Sequence, residues 1–187
     1  MSITRLMRPA DAPVIAGLLR ANREFLAPWD PVRDDGYFTD EGQAAVVRAA
    51  LAEHARGVAV PHVILSAAGD VVGRITLNNV VRGAFQSCSV GYWLSAAENG
   101  RGLATAAVRE MTRVAFEDEG LHRVEAGTLV HNVRSQRVLE RNGFVRFGLA
   151  PEYLEIAGTW QDHVLYQLVN RSGSEPPGPA VSPPVEA

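Results

Sequence analysis

The stretch from Gly91 to Ala107, GYWLSAAENGRGLATAA, admits few architectures. Ahead of its glycines, Ser89, Gly91 and Trp93 alternate with Cys88, Val90, Tyr92 and Leu94, the period-two pattern of a strand with two unlike faces. Behind them, Ala104, Ala107, Val108, Met111 and Ala115 recur at helical spacing, and Gly120 supplies a C-terminal stop. A strand that turns so quickly into a helix leaves the first helical N–H groups without carbonyl partners. Gly100 and Gly102 let the backbone there turn tightly and approach a ligand closely. The helix dipole favours an anion at this place, and Thr105 offers a hydroxyl one turn in. The same turn also serves as a plain strand-to-helix connection, so two readings stand side by side. Dinucleotide and P-loop readings are set aside, because Thr105 occupies the place of the third glycine in G-x-G-x-x-G and no Gly-Lys-Ser/Thr follows.

No break in composition divides the 187 residues, which predicts one domain over residues 1–170. Arg171 to Ala187, rich in Ser, Gly, Pro and Glu, reads as a disordered tail. A net charge of −3 gives no electrostatic case for nucleic acid or an anionic membrane as partner. All 18 basic residues are arginines, for which a compositional bias is the simplest account. Cys88 is the one cysteine, which excludes an internal disulfide and any multi-cysteine metal site, and in an apolar strand it reads as an inert thiol. No His, Cys and carboxylate cluster has ligand spacing, so no metal is expected. Without a readable leader or a membrane-length apolar run, the expected location is the cytoplasm.

Taken in order, Ile3 to Arg8 predicts a strand, and Asp11 is placed to cap a helix carrying Val14, Ile15, Leu18, Leu19 and Phe25 and ending near Ala27-Pro28. PWDPVRDDGYF, Pro28 to Phe38, is too broken for regular structure and reads as a loop with something to cover. Thr39 caps a second helix, with Ala45, Val46, Ala49, Ala50 and Leu51 along one side. HVILSAA and VVGRITLNNV form a hairpin around Gly69-Asp70, and Arg82-Gly83-Ala84 turns into the strand before the glycines. After the central helix come a strand over His122 to Val130 and a short helix over Asn132 to Gly143. Two strands, Phe144 to Ile156 and Trp160 to Val169, then close the order. This order predicts an α/β mixed sheet with helices on both faces.

Within that order, Asn99-Gly100-Arg101-Gly102-Leu103-Ala104 resembles the (Gln/Arg)-x-x-Gly-x-(Gly/Ala) loop of the GNAT acetyltransferases, with Asn99 in place of the usual Gln or Arg, so that one side-chain contact to the pyrophosphate is shorter or absent. Three further segments resemble the RimJ/RimL branch: NREFLAPWDPVRDD (Asn22 to Asp35), HNVRSQRVLERNGF (His131 to Phe144) and EYLEIAGTWQDHVLYQL (Glu152 to Leu168). The resemblance spans most of residues 1–170. It implies the GNAT fold, acetyl-CoA as co-substrate, and transfer of acetyl to a primary amine, foremost a protein N-terminus such as that of a ribosomal protein. A small amine, of antibiotic or polyamine type, is the rival acceptor, and a silent acyl-CoA-binding domain is the rival of a different class.

The chemistry assigns places to residues. An amine must lose a proton, attack a thioester carbonyl and expel a thiolate, and alignment of the two reactants lowers the barrier substantially. The resemblance implies cofactor contacts at Trp93 and Leu94, at Asn99, Gly100, Arg101, Gly102, Leu103, Ala104 and Thr105, and at Asn132 and Ser135. A splayed strand end frees the N–H near Leu94 for the thioester oxygen. Asn132 and Ser135 fit an N-cap and its N3 partner, a pairing that needs no ligand; the resemblance adds that Ser135 steadies the thiolate. Glu152 reads either as a solvated glutamate at a strand start or, by the resemblance, as the acid that faces the acceptor amine. Asp162-His163 is a weaker candidate for that task, and Trp29 and Tyr37 either wall the acceptor pocket with Glu152 or simply pack.

Overall fold

In a computed structural model of the protein, which describes residues 2–171, one sheet of seven strands forms the centre. The expected tail therefore lies, apart from Arg171, outside the described residues. The strands are β1 (Thr4–Leu6), β2 (Val60–Leu65), β3 (Val71–Val81), β4 (Ser87–Leu94), β5 (Arg123–Leu129), β6 (Val145–Ile156) and β7 (Thr159–Val169). They lie in the order β1-β2-β3-β4-β5-β7-β6, antiparallel throughout except between β4 and β5. That parallel pair needs a crossover, which the helix α4, Leu103–Arg113 in the numbering used below, provides.

The helices are α1 (Ala12–Ala21), α2 (Arg23–Leu26), α3 (Asp40–Ala55), α4 and α5 (Val133–Arg141). Strand alternation divides the apolar residues between two layers. Ile64, Ile75, Leu77, Val90 and Leu94 pack with Ala107, Val108 and Met111 of α4 and Leu139 of α5. Val63, on the other face of β2, packs with Met7, Ile15 and Leu19 and with Val47 of α3. Each such aliphatic side chain, fully buried, contributes about 1.5–3 kcal/mol.

Three local expectations are corrected. Asp11 makes no cap bond to α1; its carboxylate is taken by the Arg5 guanidinium at 2.7 and 2.8 Å and by the Arg8 N–H at 2.7 Å. The first helix breaks at Asn22, whose side-chain amide donates to Leu18 O at 2.8 Å and so competes with the continuing helix. The second helix buries Gln43 and Val47 and leaves Ala45 and Ala49 exposed. Its run of alanines has little amphipathic signal to fix the face. Thr39 does cap this helix, accepting from Gly42 N–H at 3.0 Å.

The feature that positions the site is a divergence within the sheet. β4 pairs with β5 only from Ser87 to Ser89, opposite Arg123 to Glu125. Beyond that, β4 stays with β3 as far as Leu94 opposite Gly73, while β5 stays with β7 as far as Leu129 opposite His163. A wedge therefore opens between the two halves. Gly73 permits the close pairing at the end of β4, since a Cβ there would sit 2.4 Å from Trp93 O.

Candidate active site

The wedge has a polar floor. Ser95 N–H donates to Val72 O at 2.9 Å, toward β3. Because successive amides of a strand point to opposite sides, the N–H groups of Leu94 and Tyr92 face the wedge, where β5 offers no partner.

At one end of the wedge, the chain turns through Gly100 and Gly102, both with φ +78°, into α4. Gly102 is the N-cap, and the first intrahelical bond runs from Ala106 N–H to Gly102 O, so the amides ahead of it have no helical acceptor. A Cβ built on either glycine meets nothing within 4 Å, which leaves the cradle open to a phosphate-sized group. Asn99 directs its amide to Ser95 O and Ala96 O, both at 3.3 Å, and thereby closes its own turn. Arg101 pairs with Glu98 at 3.3 Å. The cradle forms one side of a cavity of about 520 Å³ whose other side is α5.

On α5, Arg134, Arg137 and Arg141 line this cavity at a spacing that puts them on one helix face, and no carboxylate pairs with them among the described residues. The sequence reading missed them. Their signal was present in HNVRSQRVLERNGF, as an arginine stripe of helical period, but the compositional bias toward arginine concealed it. Asn142, at the end of α5, donates to Thr105 O at 3.1 Å and so fixes α5 against the first turn of α4.

A second cavity, also about 520 Å³, continues from the cradle along the wedge. Trp93, Leu94, Asn99, Ala104, Asn132 and Ser135 line it, all expected from sequence, together with Trp29, Tyr92 and His131. Asn132 Oδ1 accepts Ser135 N–H at 3.1 Å and caps α5. The Ser135 hydroxyl lies 2.9 Å from the Tyr92 hydroxyl, and burial pushes that phenol up to about 12 against the opposing pull of Ser135. The sequence places Tyr92 on the strand beside which the co-substrate is expected, but nothing local in it brings the phenol to Ser135.

The third cavity, about 270 Å³, lies on the opposite face of β3 and β4 and shares Leu26, Trp29, Tyr92 and Trp93 with the second. Tyr37, Asp30, Arg74, Thr76 and Asn78 complete its walls, and Gly91 leaves its floor without a side chain. The covering loop is more ordered than its prolines suggest. It contains two short 3₁₀ turns, Ala27–Trp29 and Asp35–Phe38. Asp34 accepts Tyr37 N–H at 2.9 Å, and the fully buried Gln43 donates to Tyr37 O at 2.7 Å. Burial raises the Asp30 carboxyl above the ordinary range, partly opposed by Arg33 and Arg74.

Glu152 stands apart from these cavity walls. It is exposed at a bulge in β6 between Ala150 and Leu154, with φ +46° and its N–H held by Asp162 Oδ1 at 2.9 Å. The tip of its hairpin reaches the covering loop, where Ala157 N–H donates to Asp30 O at 3.0 Å. Burial pushes the Cys88 thiol up to about 12, so it stays protonated.

A groove that joins an open amide cradle to a separate, walled cavity through a splayed strand suits transfer between two bound molecules. The family profile of the acetyltransferase (GNAT) domain matches residues 3–145, and the chain belongs to that family. Its branch there is the RimJ/RimL one, and it is an N-acetyltransferase. It is 36% identical over 171 residues to the [ribosomal protein uS5]-alanine N-acetyltransferase of Escherichia coli, covering 89% of this chain and 86% of that one. It is 35% identical over 167 residues to the probable N-acetyltransferase YjcK of Bacillus subtilis, covering 89% and 92%. Mycobacterium smegmatis RimJ, solved in complex with CoA-disulfide, superimposes with a TM-score of 0.87 at 32% identity, over 92% of this chain and 83% of that one.

Proposed function

We propose that the protein transfers acetyl from acetyl-CoA to the α-amino group of a protein N-terminus, a ribosomal protein foremost, and works in the cytoplasm. The observation that carries this reading is the wedge between β4 and β5, where the Leu94 N–H faces a groove running from a phosphate cradle to an acceptor cavity. The relative named for acetylating an alanine of ribosomal protein uS5 supports the choice of acceptor. Among the described residues no group of side chains is set to hold a metal, and none is part of the proposal; no helix there is long and apolar enough to cross a membrane.

In this reading the amides from Gly100 to Thr105 and the three arginines of α5 hold the phosphates of the co-substrate. Its pantetheine arm lies in the wedge as an added strand beside Tyr92 and Leu94. The amine attacks the thioester carbon, a C–N bond forms, and the Leu94 N–H receives the developing oxyanion. Collapse breaks the C–S bond, and the thiolate departs toward Ser135, which Tyr92 orients at 2.9 Å. The amine's proton leaves to Glu152, directly or through a water. A bulge that holds a glutamate in the left-handed region is a costly backbone feature of the kind that collects at functional sites, which supports that assignment. The products are the acetylated amine and free CoA thiol.

The test is turnover of a panel of peptides with free N-termini, followed by thiol release and by mass spectrometry to locate the acetyl group. The protein has no lysine of its own, so acetyl found on a lysine of the peptide is unambiguous. Acetylation of the peptide N-terminus supports the reading. Acetyl-CoA binding without thiol release from any amine makes the protein a binding domain instead, and turnover of small amines alone reassigns the acceptor.

A further inference from the structure

Acetyl transfer requires a base and an oxyanion donor, but no cation beside the amine. Arg74 nevertheless stands in the wall of the acceptor cavity. It lies on β3 opposite Trp93, on the cavity face of the sheet, and is half-buried. No residue among those described hydrogen-bonds its guanidinium or pairs with it within 4.0 Å. Asp30, the nearest acidic wall residue, directs Oδ2 instead toward Arg33 Nε at 3.8 Å. A half-buried five-donor fork that faces a cavity and meets no protein acceptor is free to bind a ligand that brings acceptor oxygens. Tyr37, Thr76 and Asn78 surround the same space with neutral groups that hydrogen-bond an oxygen or a nitrogen equally well, which leaves the charge on Arg74 to discriminate.

We propose that Arg74 is the specificity-determining residue of the acceptor cavity: its guanidinium binds the carbonyl oxygen adjoining the accepting amine, while Asp30, in the wall of the same cavity, accepts a hydrogen bond from that amine. The inference rests on the protein-N-terminus reading and deepens it. Every peptide N-terminus carries a carbonyl two bonds from its nitrogen, so one fork and one carboxylate in the walls of one cavity match it. A polyamine brings no acceptor oxygen and sets a second ammonium against Arg74. A lysine side chain separates its amine from the nearest carbonyl by its whole stem.

Steady-state kinetics with an alanine-initiated peptide and with spermidine, on the wild type and on Arg74→Gln and Arg74→Lys, test this assignment. Calorimetric acetyl-CoA affinity serves as the check that each variant is folded. The expected result is a wild type that prefers the peptide, and an Arg74→Gln variant whose peptide KM rises about tenfold or more with kcat little changed, as loss of a charge-assisted bond dictates. Its spermidine KM stays level or falls. Arg74→Lys keeps the charge but not the fork, and recovers part of the peptide KM; if Arg74→Gln does not fold, Arg74→Lys carries the same comparison. An unchanged peptide KM in Arg74→Gln overturns the role of Arg74 and leaves the peptide reading intact. A wild type that acetylates spermidine and no peptide overturns both.

Discussion

The end of the groove proposed for the co-substrate is built on backbone amides beside an arginine stripe, whereas the end proposed for the acceptor is made of side chains gathered from distant segments. At the first, two glycines at φ +78° and the unbonded amides of α4 present a surface that depends little on side-chain identity. At the second, Asp30, Tyr37, Arg74, Thr76 and Asn78 come from a loop and a strand that no local pattern connects. The difference teaches why the co-substrate is easier to infer than the acceptor: backbone geometry is written in glycine spacing, while a side-chain cavity is written only in the tertiary fold.

The largest expected effect strikes the backbone end. Gly102→Val places a β-branched side chain at φ +78° and fills the space left for the pyrophosphate. Acetyl-CoA affinity falls about 100-fold or more, with the arginine stripe of α5 unable to compensate. Gly83→Val is the control, since Gly83 has φ +71° and equally open surroundings in a turn outside the cavity walls. Calorimetry that finds the same affinity in both variants removes the cradle from the site.

Next comes Glu152→Gln, which probes the acceptor end. An α-amino group of pKa about 7.7–8.0 is roughly a tenth neutral at pH 7, so the base offsets only about 1 kcal/mol, against more than about 4 for a lysine amine. The variant slows kcat by about tenfold near pH 7, and the deficit shrinks as pH rises through the pKa of the amine, where the substrate arrives already neutral. A deficit constant between pH 7 and 9 contradicts the base assignment and directs attention to Asp30, the carboxylate that lines the cavity.

The third experiment attacks the separation of the two ends. Asn22 is buried at the break between α1 and α2, and its Oδ1 accepts from Ala96 N–H at 2.8 Å and from Ser95 Oγ at 3.3 Å. One side chain thus ties the segment leading to Trp29 and Asp30 to the turn that leads to Gly100. Asn22→Ala leaves the buried Ser95 hydroxyl and the part-buried Ala96 N–H without their acceptor and costs about 1–3 kcal/mol in chemical denaturation. It also raises the KM for both substrates together. A variant that loses stability but weakens only one substrate shows the ends to be independent.

The sequence carried the order of elements and the cradle because both depend on short-range patterns: alternation in β3 and β4, helical spacing in α4, and positive-φ glycines at turns. It carried the Asn132 cap for the same reason. It did not carry the break at Asn22, the face of α3 or the fate of Asp11, since each is decided by a side-chain contact that no short-range pattern announces: Asn22 with Leu18 and Ala96, Val47 with its apolar cluster, and Asp11 with Arg5. The alanines of α3 hide its buried side, and the stripe Arg134, Arg137 and Arg141 was masked by a composition in which every basic residue is arginine. Arg74 shares one face of β3 with Thr76 and Asn78 and signals nothing until β4 and the covering loop are placed around it.

The smallest expected effect concerns the junction of the two ends, where Ser135 meets Tyr92. A thiol of pKa about 8.5 leaves as a thiolate near neutral pH, and a hydroxyl donor beside the sulfur stabilises that charge as it develops. The Tyr92 phenol, pushed up to about 12, remains protonated throughout the working range and so acts as a neutral hydrogen-bond partner rather than by releasing its proton. Ser135, 2.9 Å away, is the group proposed to touch the sulfur, and Tyr92 positions it. Ser135→Ala keeps the backbone N–H that Asn132 caps, so α5 and the cradle persist while the donor is lost. The expected loss is about tenfold in kcat, close to 1.4 kcal/mol, with acetyl-CoA affinity unchanged. Tyr92→Phe lowers kcat by less, because the serine hydroxyl survives without its orienting partner, and the double variant falls no further than Ser135→Ala alone. An unchanged kcat with weakened acetyl-CoA binding in Ser135→Ala makes the residue part of the binding surface. A double variant much slower than either single one shows that Tyr92 acts on the sulfur independently, and the junction then belongs to β4 as much as to α5.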